Sequence, residues 1–514
     1  MPTGKINSIL FPADGNTTLL ISETMPECLA DLNLDQVISE ITAKKEEYCL
    51  KPFFYTLLKD VDSIIYRQKI FKDLENELIV DSLNQFARSM VIVRRYLELS
   101  KKLRYEYHIK GWHLEAAIEY CDGVRHLFEA LSGHNLRSRG LLSFRNALTA
   151  YANSEVFQKL TSNAKHIKLE LQSIQYNIIV KGSWVRVRKY EGETDYGEKI
   201  KQVFNKFSQA NDKDYTQDLV VNSGMGHVEA QILDCVVRLY PKIFEGLDRF
   251  FENHMQFLDE LIQTFDREIQ FYIAYHRFIG RIKEFGLDFT YPEISAKEKA
   301  IAVSETYDIA LADNCRLTDK EIVKNDFYLA DEERVMIVSG PNQGGKTTFA
   351  RTVGQLHYLS CLGCPVPGRE ARLFLVDGVF THFEREEDIE NLRGKLKDDL
   401  VRLKRILDTS TSNSLIILNE ILTSTSQEDA TFMSKQIINR IIHKDTLGVC
   451  VSFIDELSTM SQKTVSMVSM IDPDNPALRT FKIVRKPADG RAFAIHIAKK
   501  HALSYDLIKE RITL

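Results

Sequence analysis

Apolar residues recur every three or four positions over much of the first half of the chain, where glycine and proline are scarce. From Leu34 to Leu160 this period predicts an all-helical region. A second helical stretch runs from about Lys242 to Phe285, and Pro241 and the Gly286 to Pro292 segment mark its ends. A single helix of that length would measure roughly 65 Å. The period suits a lever-like arm and a helix buried in a bundle equally.

Between these stretches the apolar period changes to two. The apolar residues from Ile174 to Tyr190 are β-branched or aromatic, and Lys181-Gly182-Ser183 divides the segment, which predicts a β-hairpin. In its second strand Val185 and Val187 share one face, so the opposite face is basic and aromatic. The polar stretch from Ser208 to Gly226 predicts a loop.

Basic side chains are concentrated on this predicted hairpin. Four stand between Tyr176 and Tyr190 with no acidic residue among them: Lys181, Arg186, Arg188 and Lys189. Such a cluster suits contact with DNA phosphates, and nearby aromatic rings could pack on sugars or bases. The alternative is a solvated edge strand whose charges deter aggregation.

From Ala300 onward, short apolar runs alternate with segments of helix length. The runs are Val335 to Val338, Leu373 to Val376, Leu415 to Leu418 and Gly448 to Val451. This alternation predicts an α/β domain with a buried sheet. The fold class is therefore multidomain, with an all-α region and a small β-hairpin followed by an α/β domain.

Length and composition fit a globular protein of two or three domains. The chain has 514 residues, 44% of them hydrophobic and 27% charged, and a net charge of -5. That charge argues against a basic surface over the whole chain, so DNA contact requires a local patch. No run of eighteen apolar residues and no charged-then-apolar N-terminus occurs, which predicts a protein that neither spans a membrane nor is secreted.

Cysteine usage points to a reducing, cytoplasmic compartment. Eight cysteines are scattered without a regular framework. Cys361 and Cys364 form a lone CxxC pair with no second pair or histidine cluster beside it. Buried core thiols are favoured over a metal or redox site.

The segment from Gly340 to Thr347 reads GPNQGGKT and fits the phosphate-loop pattern GxxxxGK[ST]. It lies between an apolar strand and a helical segment, which favours nucleotide binding over a chance glycine-rich turn. Backbone amides and the helix N-terminus would cradle the phosphates of ATP, Lys346 would bridge the β- and γ-phosphates, and the Thr347 hydroxyl would hold Mg²⁺. The predicted nucleotide-binding residues of this segment are Asn342, Gly344, Gly345, Lys346, Thr347 and Thr348.

A second apolar strand, Leu415 to Leu418, runs directly into Asn419-Glu420. Glu420 is placed to act as a general base or to orient water, with a solvated strand-end carboxylate as the alternative. Asn419 stands where an Asp is expected. It can bond a metal-bound water but carries no charge, which predicts weaker Mg²⁺ stabilisation and slower turnover. The hydroxyl-rich turn that follows, Thr423 to Ser426, suits helix caps or contact with a γ-phosphate across a dimer interface.

Five segments, in this order, resemble the ATPase domain of the MutS family. They read GPNQGGKTT, DGVFTHFEREEDI, SLIILNEILTSTSQEDA, VCVSFIDEL and TFKIVRKPADGRAFAIHIAKKHAL. Upstream, DVDSIIYRQKIFKDLE looks like the first core helices of that family, and the arm and hairpin occupy the places of its lever and clamp. The resemblance is strong after Ala300 and weak before it.

The resemblance implies an ABC-type ATPase that works as a dimer, with each nucleotide between one subunit's phosphate loop and the other's signature segment. Carried over to this chain, Lys346 and Thr347 contact phosphate and Mg²⁺, and Glu420 is the catalytic carboxylate. Thr425 and Ser426 form the signature that reaches the partner's nucleotide. Asn325, with Asp326 beside it, matches the loop near the base.

Three departures from the family pattern bear on activity. Asn419-Glu420 stands where the family has Asp-Glu, Leu422-Thr423-Ser424 where it has Gly-Arg-Gly, and Phe453 where it has a His that senses the γ-phosphate. The core helices begin within the first forty residues, which leaves no room for mismatch-reading and connector domains. The C-terminal dimerising helices are likewise expected to be absent or reduced.

The expected organisation is a leader (1–30), a helical core and lever domain (31–299) with a clamp insertion near 165–226, and a P-loop ATPase domain (300–514). One functional hypothesis is a dimeric, ATP-switched clamp on duplex or branched DNA in repair or recombination. The other is a nucleotide-dependent scaffold that hydrolyses slowly or not at all and grips a protein or ribonucleoprotein partner.

Overall fold

The computed structural model of the protein describes residues 8–12, 21–182, 184–192, 225–318, 320–384, 394–472, 479–488 and 508–509. The α-helices are α1 (Cys28–Asp31), α2 (Leu34–Thr42), α3 (Lys51–Tyr55), α4 (Val61–Asp73), α5 (Glu77–Lys102), α6 (Glu106–Gly133), α7 (Arg139–Ala152), α8 (Glu155–Gln172), α9 (His227–Leu239), α10 (Pro241–Asn253), α11 (Glu260–Glu284), α12 (Ile309–Thr318), α13 (Lys346–Cys361), α14 (Lys395–Thr409) and α15 (Gln427–His443).

The strands include a hairpin early in the chain and a set concentrated after residue 288. They are β1 (Tyr176–Lys181), β2 (Trp184–Lys189), β3 (Phe289–Thr290), β4 (Glu293–Ser295), β5 (Ile301–Thr306), β6 (Asn325–Leu329), β7 (Val335–Ser339), β8 (Val366–Pro367), β9 (Glu370–Phe374), β10 (Val379–Phe383), β11 (Leu415–Asn419), β12 (Leu447–Val451), β13 (Thr464–Ile471) and β14 (Arg479–Arg485). The expectation of a helix-rich chain with an α/β region at its C-terminal end is confirmed.

The chain divides into two compact units. The sheet unit comprises Met1–Asn76, Leu136–Leu142 and Arg267–Leu514, and the helical unit comprises Glu77–Asn135 and Ser143–Asp266. The boundary between the units falls inside α11. The segment bounds expected from the sequence, at residues 30 and 299, differ from these compact units and stay a prediction.

The main sheet of the sheet unit has the strand order β10-β11-β12-β7-β13-β14. Its first five strands are parallel, and β14 joins β13 antiparallel. Every residue of β7, β11 and β12 is buried, which explains why these strands read as continuous apolar runs. The loops that follow these three strands therefore meet at one edge of the sheet.

Helix α13 lies against this sheet and is buried on nearly every side. At Gly354 an added Cβ would lie 2.5 Å from Leu32 and 2.6 Å from Ile417 of β11, so only glycine fits between them. Gln355 donates to the Leu32 carbonyl at 2.8 Å, and Tyr358 donates to the Phe54 carbonyl at 2.9 Å. Contacts with early residues of the chain thus fix the helix that begins at Lys346.

A second sheet of four strands, in the order β4-β9-β5-β6, also belongs to the sheet unit. The apolar run from Leu373 to Val376 contributes to β9 here rather than to the main sheet, and Leu375 and Val376 lie beyond the strand's end. The sequence period cannot assign a strand to one of two sheets, because both bury the same kinds of side chain.

The helical unit contains α5, α6, α8, α9 and α10 with an aromatic interior. Phe144 and Phe265 stack with ring centroids 3.5 Å apart, and Phe86 packs against Phe265 at 5.9 Å. Asp266, which is 3% exposed, forms an ion pair with Arg94. Burial of these rings fits the all-helical prediction for the early part of the chain.

The prediction of one helix from Lys242 to Phe285 is wrong, because α10 ends at Asn253 and α11 begins at Glu260. Asp259 starts the new helix by accepting a hydrogen bond from the Leu261 amide at 2.9 Å. Within the break, the buried Phe257 ring packs 5.5 Å from Tyr120. Tertiary burial and a new N-terminal cap interrupt an apolar spacing that continues through both helices.

The predicted hairpin is confirmed. Strands β1 and β2 pair antiparallel, and Gly182 occupies the left-handed region at φ 58°. Ser183 of the predicted turn and residues 208–224 of the predicted loop lie outside the described residues.

Two further expectations concern membranes and thiols. In the described part of the chain, no helix has the length and apolarity needed to cross a bilayer. Cys361 and Cys364 are fully buried, and burial raises the pKa of Cys361 to about 11. The described residues include no group of three His, Cys, Asp or Glu side chains that could hold a metal ion.

Candidate functional site

The glycine-rich loop joins β7, a central strand of the main sheet, to the N-terminus of α13. Gly340 and Gly345 adopt φ of 124° and 85°, a region that side chains with Cβ atoms avoid. A Cβ at Gly344 would lie 2.3 Å from the Ser469 hydroxyl, which instead donates to the Gly344 carbonyl at 2.7 Å. Ser469, on the adjacent β13, therefore supports the loop from beneath, and the motif itself gave no signal for it.

Lys346 is the first residue of α13, and its side chain folds back under the loop. The ammonium donates to the carbonyls of Gly340 and Pro341 at 3.1 and 3.0 Å and lies 4.0 Å from Glu420 Oε1. The residue is only 4% exposed. Burial lowers the pKa of this ammonium and the Glu420 charge opposes that shift. The cation is thus held where an anion entering the loop would meet it.

Thr347 and Asn419, two of the predicted site residues, lie side by side. The Thr347 hydroxyl donates to Asn419 Oδ1 at 2.9 Å, and Asn419 is buried at the end of β11. Two neutral oxygen ligands at the edge of a parallel sheet are a donor set that Mg²⁺ accepts, directly or through water. The carboxylate that would strengthen such a site is absent at position 419.

Glu420 follows Asn419 in the left-handed region, at φ 51°. Its amide donates to the Val451 carbonyl at 3.0 Å, and its side chain is 27% exposed. A non-glycine residue with this backbone angle costs free energy that surrounding contacts must offset, and such residues cluster at functional sites. The turn directs the carboxylate toward Lys346 rather than along the strand.

A cavity of about 490 Å³ opens beside the loop. Its polar lining comes from Gly344, Gly345, Thr347, Thr348 and Glu420. Its apolar lining comes from side chains to which the sequence assigned no role: Tyr307, Leu311, Ile322, Val323 and Phe481. A cavity with both a polar, cationic lining and an apolar lining suits a ligand that carries phosphates on an aromatic or sugar body.

Asn325 shapes the apolar lining of the cavity indirectly, through the backbone of Phe481. Its side chain donates to the Phe481 carbonyl at 3.2 Å and accepts from the Ile483 amide at 2.7 Å. These bonds hold the Phe481 backbone at φ 55°. The ring atom Cδ1 of Phe481 would lie 3.5 Å from a Cβ added at Gly345. Asn325 also lines the cavity, and its predicted place near a base stays a prediction. Phe481 lies in a segment that resembles the MutS family, but the sequence assigned it no role.

The remaining phosphate-loop residue, Asn342, is exposed, and its carbonyl accepts from Arg479 Nε at 3.1 Å. Ser426 caps α15, since its hydroxyl accepts from the Asp429 amide at 3.2 Å. Thr425 and Ser426 are not among the described residues that line the cavity. Their predicted contact with a partner's nucleotide stays a prediction.

The basic hairpin belongs to the helical unit. Lys181, Arg186 and Arg188 are exposed, and Arg186 pairs across the strands with Ile179. The Lys189 ammonium lies 5.1 Å from the centre of the Tyr240 ring. The opposite face carries Ile178, Val180 and Val185, which are also exposed. Both faces of the hairpin are therefore open to solvent.

These features define a class of domain in which a glycine-rich loop joins a central parallel strand to a helix, with a buried lysine beside a polar strand end. Residues 336–512 match the family model described as MutS domain V. The chain is therefore a MutS-related protein through this domain.

Three curated relatives illustrate the relationship. A DNA mismatch repair protein MutS of Caldanaerobacter subterraneus is 29% identical over 198 residues, 38% of this chain and 23% of the relative. An endonuclease MutS2 of Thermus thermophilus is 28% identical over 211 residues, 40% and 28% of the two chains. A DNA mismatch repair protein MutS of Fervidobacterium nodosum is 31% identical over 195 residues, 37% and 24%. The matches span about a quarter of these relatives.

Proposed function

We propose that this protein is a nucleotide-switched DNA-binding protein of the MutS type that acts in the cytoplasm in DNA repair or recombination. The match of residues 336–512 to MutS domain V, and the similarity to DNA mismatch repair and MutS2 proteins, support a role in repair or recombination. The observation that carries the nucleotide part is the cavity that ends on Lys346 and the Thr347–Asn419 pair.

ATP is the proposed nucleotide. The loop amides from Asn342 to Thr348 and the N-terminus of α13 supply positive ends of dipoles for its phosphates. Lys346 bonds the β- and γ-phosphates after leaving its carbonyl partners, and Asn325 keeps the apolar lining of the cavity shaped for the base. Thr347 and, through water, Asn419 would hold Mg²⁺, which would neutralise phosphate charge when bound.

Hydrolysis is proposed to be slow. Glu420 accepts a proton from the attacking water or orients it, and the 4.0 Å separation of its carboxylate from the Lys346 ammonium supports this role. Asn419 adds no negative charge to hold the metal, and the Phe453 side chain has no group that can donate to a γ-phosphate. Nucleotide exchange and occupancy, rather than rapid turnover, then control the protein.

DNA and a second copy of the chain are the proposed partners. The exposed cations Lys181, Arg186 and Arg188, with Lys189 beside them, suit the phosphates of duplex or branched DNA. A homodimer would place Thr425 and Ser426, at the start of α15, against the partner's nucleotide.

A second candidate function is a slow or non-hydrolysing scaffold that grips a protein or ribonucleoprotein partner in a nucleotide-dependent way. The neutral Asn419, Phe453 and the net charge of -5 favour it. A panel of homoduplex, mismatched and branched DNA, each with and without ATP, separates the two candidates. Salt-sensitive binding to at least one DNA supports the first, and absence of binding to all supports the second.

Steady-state ATP hydrolysis by Glu420→Gln tests the assigned chemistry. Loss of the proton acceptor should lower the rate by about 100-fold, since general bases contribute about that much or more. Glu428→Gln, an exposed acid in the first turn of α15, is the matched control and should retain the normal rate. Equal rates for the protein and Glu420→Gln would remove Glu420 from its role.

A further inference from the structure

The ring of Phe453 lies over the Lys346 ammonium. The nitrogen is 4.4 Å from the ring centroid, within the range of a cation–π attraction. Lys346 is 4% exposed, whereas Phe453 is 54% exposed, so the ring lies partly open to solvent and its inner face meets a buried cation. The proposed hydrolysis chemistry assigns no positive task to this ring.

Strand order explains how Phe453 reaches this place. Strand β12 lies between β7, which leads into the glycine-rich loop, and β11, which leads into Asn419-Glu420. Two residues after β12 comes Phe453, and the Ser452 amide donates to the Val338 carbonyl of β7 at 3.1 Å. The residue that leaves β12 is therefore flanked by the loop on one side and by Glu420 on the other.

The partners of Lys346 approach it from different elements. The Gly340 and Pro341 carbonyls belong to the loop that would cradle the α- and β-phosphates. Glu420, at 4.0 Å, and the Phe453 ring belong to the strand ends where a terminal phosphate and its attacking water would lie. A β-phosphate oxygen can therefore replace the two carbonyls as hydrogen-bond acceptor of Lys346 while the ring contact persists. A γ-phosphate oxygen would have to approach Lys346 from the side that the ring covers.

We propose that Phe453 is a specificity-determining residue that competes with the terminal phosphate for Lys346, so that the site favours nucleoside diphosphates over triphosphates more than the loop alone would. This inference rests on the proposed nucleotide binding and adds a discriminating residue to it. The ring attracts the cation through its π-face and offers no hydrogen bond to a γ-phosphate in return. A diphosphate keeps the ring contact, and a triphosphate loses it.

The test compares the affinities for ADP and for the non-hydrolysable β,γ-imido analogue of ATP, both with Mg²⁺, by isothermal titration calorimetry. Phe453→Leu keeps an apolar side chain and removes the π-face. It should tighten binding of the triphosphate analogue by about 3- to 10-fold and change ADP binding by less than about twofold, given the usual strength of cation–π contacts. Phe453→Tyr keeps the π-face and should leave the ratio of the two dissociation constants unchanged.

Phe432→Leu is the matched control, because Phe432 is an exposed ring on α15 with 64% exposure. Melting temperatures of all variants report whether each is folded. Equal changes for ADP and the analogue, no change, or weaker analogue binding in Phe453→Leu would each overturn the inference while ADP binding itself survived. Failure of the unsubstituted protein to bind either nucleotide would instead refute the proposed function, and the inference with it.

Discussion

At the scale of single residues, the site differs from an efficient ATPase at the side chain that would support the metal. Asn419 accepts a hydrogen bond from Thr347 at 2.9 Å, so its shape and position suit the role. What it lacks is charge, and a neutral amide holds a hydrated divalent cation less strongly than a carboxylate does. In the proposed Mg²⁺ site, Asn419 thus keeps the hydrogen-bonding geometry but contributes less electrostatic attraction than an Asp would.

Replacement of Asn419 by Asp should raise the ATPase rate by about fivefold and lower the Mg²⁺ concentration needed for half-maximal activity. Titration of Mg²⁺ at saturating ATP measures both quantities. Asn314→Asp, an exposed site on α12, makes the same change in net charge and should leave both unaltered. An unchanged Mg²⁺ requirement in Asn419→Asp would mean that the amide already serves fully.

At the scale of secondary-structure elements, α13 couples the glycine-rich loop to the interior. His357 on this helix is fully buried, with Nδ1 2.8 Å from the Val353 carbonyl, and its Nε2 has no hydrogen-bond partner among the described residues. Burial lowers the pKa of His357 to about 4. The ring is therefore neutral in the folded protein at neutral pH.

The unfolded chain protonates His357 near pH 6.5, and the folded chain only near pH 4. Between these pH values the unfolded state binds more protons than the folded state. The contribution of His357 to the free energy of unfolding is therefore fully present above pH 6.5 and is lost as the pH drops toward 4. The loss from this residue is roughly 3 kcal/mol. Chemical denaturation at several pH values should show a shallower decline for His357→Gln than for the unsubstituted protein. Parallel declines would contradict the assignment.

The hairpin of β1 and β2 is a second element with its own expected behaviour. Arg186→Glu together with Arg188→Glu should weaken DNA binding by at least about 100-fold and reduce the salt dependence of the affinity, because two phosphate contacts are lost and two repulsions gained. Fluorescence anisotropy over a salt series measures both. Arg249→Glu with Lys242→Glu, exposed on α10, is a control with the same charge change. Unaltered affinity in the hairpin variant would exclude this hairpin from DNA binding.

At the scale of the whole molecule, the proposed homodimer would give Thr425 a function, because Thr425 is not among the described cavity-lining residues of its own chain. Sedimentation velocity with the triphosphate analogue should show a dimer whose formation requires nucleotide. Thr425→Glu should weaken that dimer by about tenfold through repulsion of the phosphates. Thr459→Glu, at an exposed threonine elsewhere in the chain, should not. If dimerisation were equally strong with and without nucleotide, and equally strong in Thr425→Glu, this arrangement would be refuted.

The extent of sequence prediction varied with the range of the interactions involved. The hairpin, strands β7, β11 and β12, and the start of α13 at Lys346 were predictable, because period and glycine position are local properties. The break at residues 254–259 was not, because a distant ring, Tyr120, helps to bury Phe257 there. The strand from Glu370 to Phe374 was recognised as apolar but joins a different sheet.

The sequence by itself determined the glycine-rich loop, the strand before it, the helix after it and the identity of Lys346, Thr347, Asn419 and Glu420. Tertiary structure alone decided that Ser469 supports the loop, that Phe481 lines the cavity and that Phe453 covers Lys346. The reason is strand order. Neighbours in the sheet are far apart in the chain, so sequence spacing does not show that Phe453 after β12, Ser469 of β13 and Phe481 of β14 lie beside the loop.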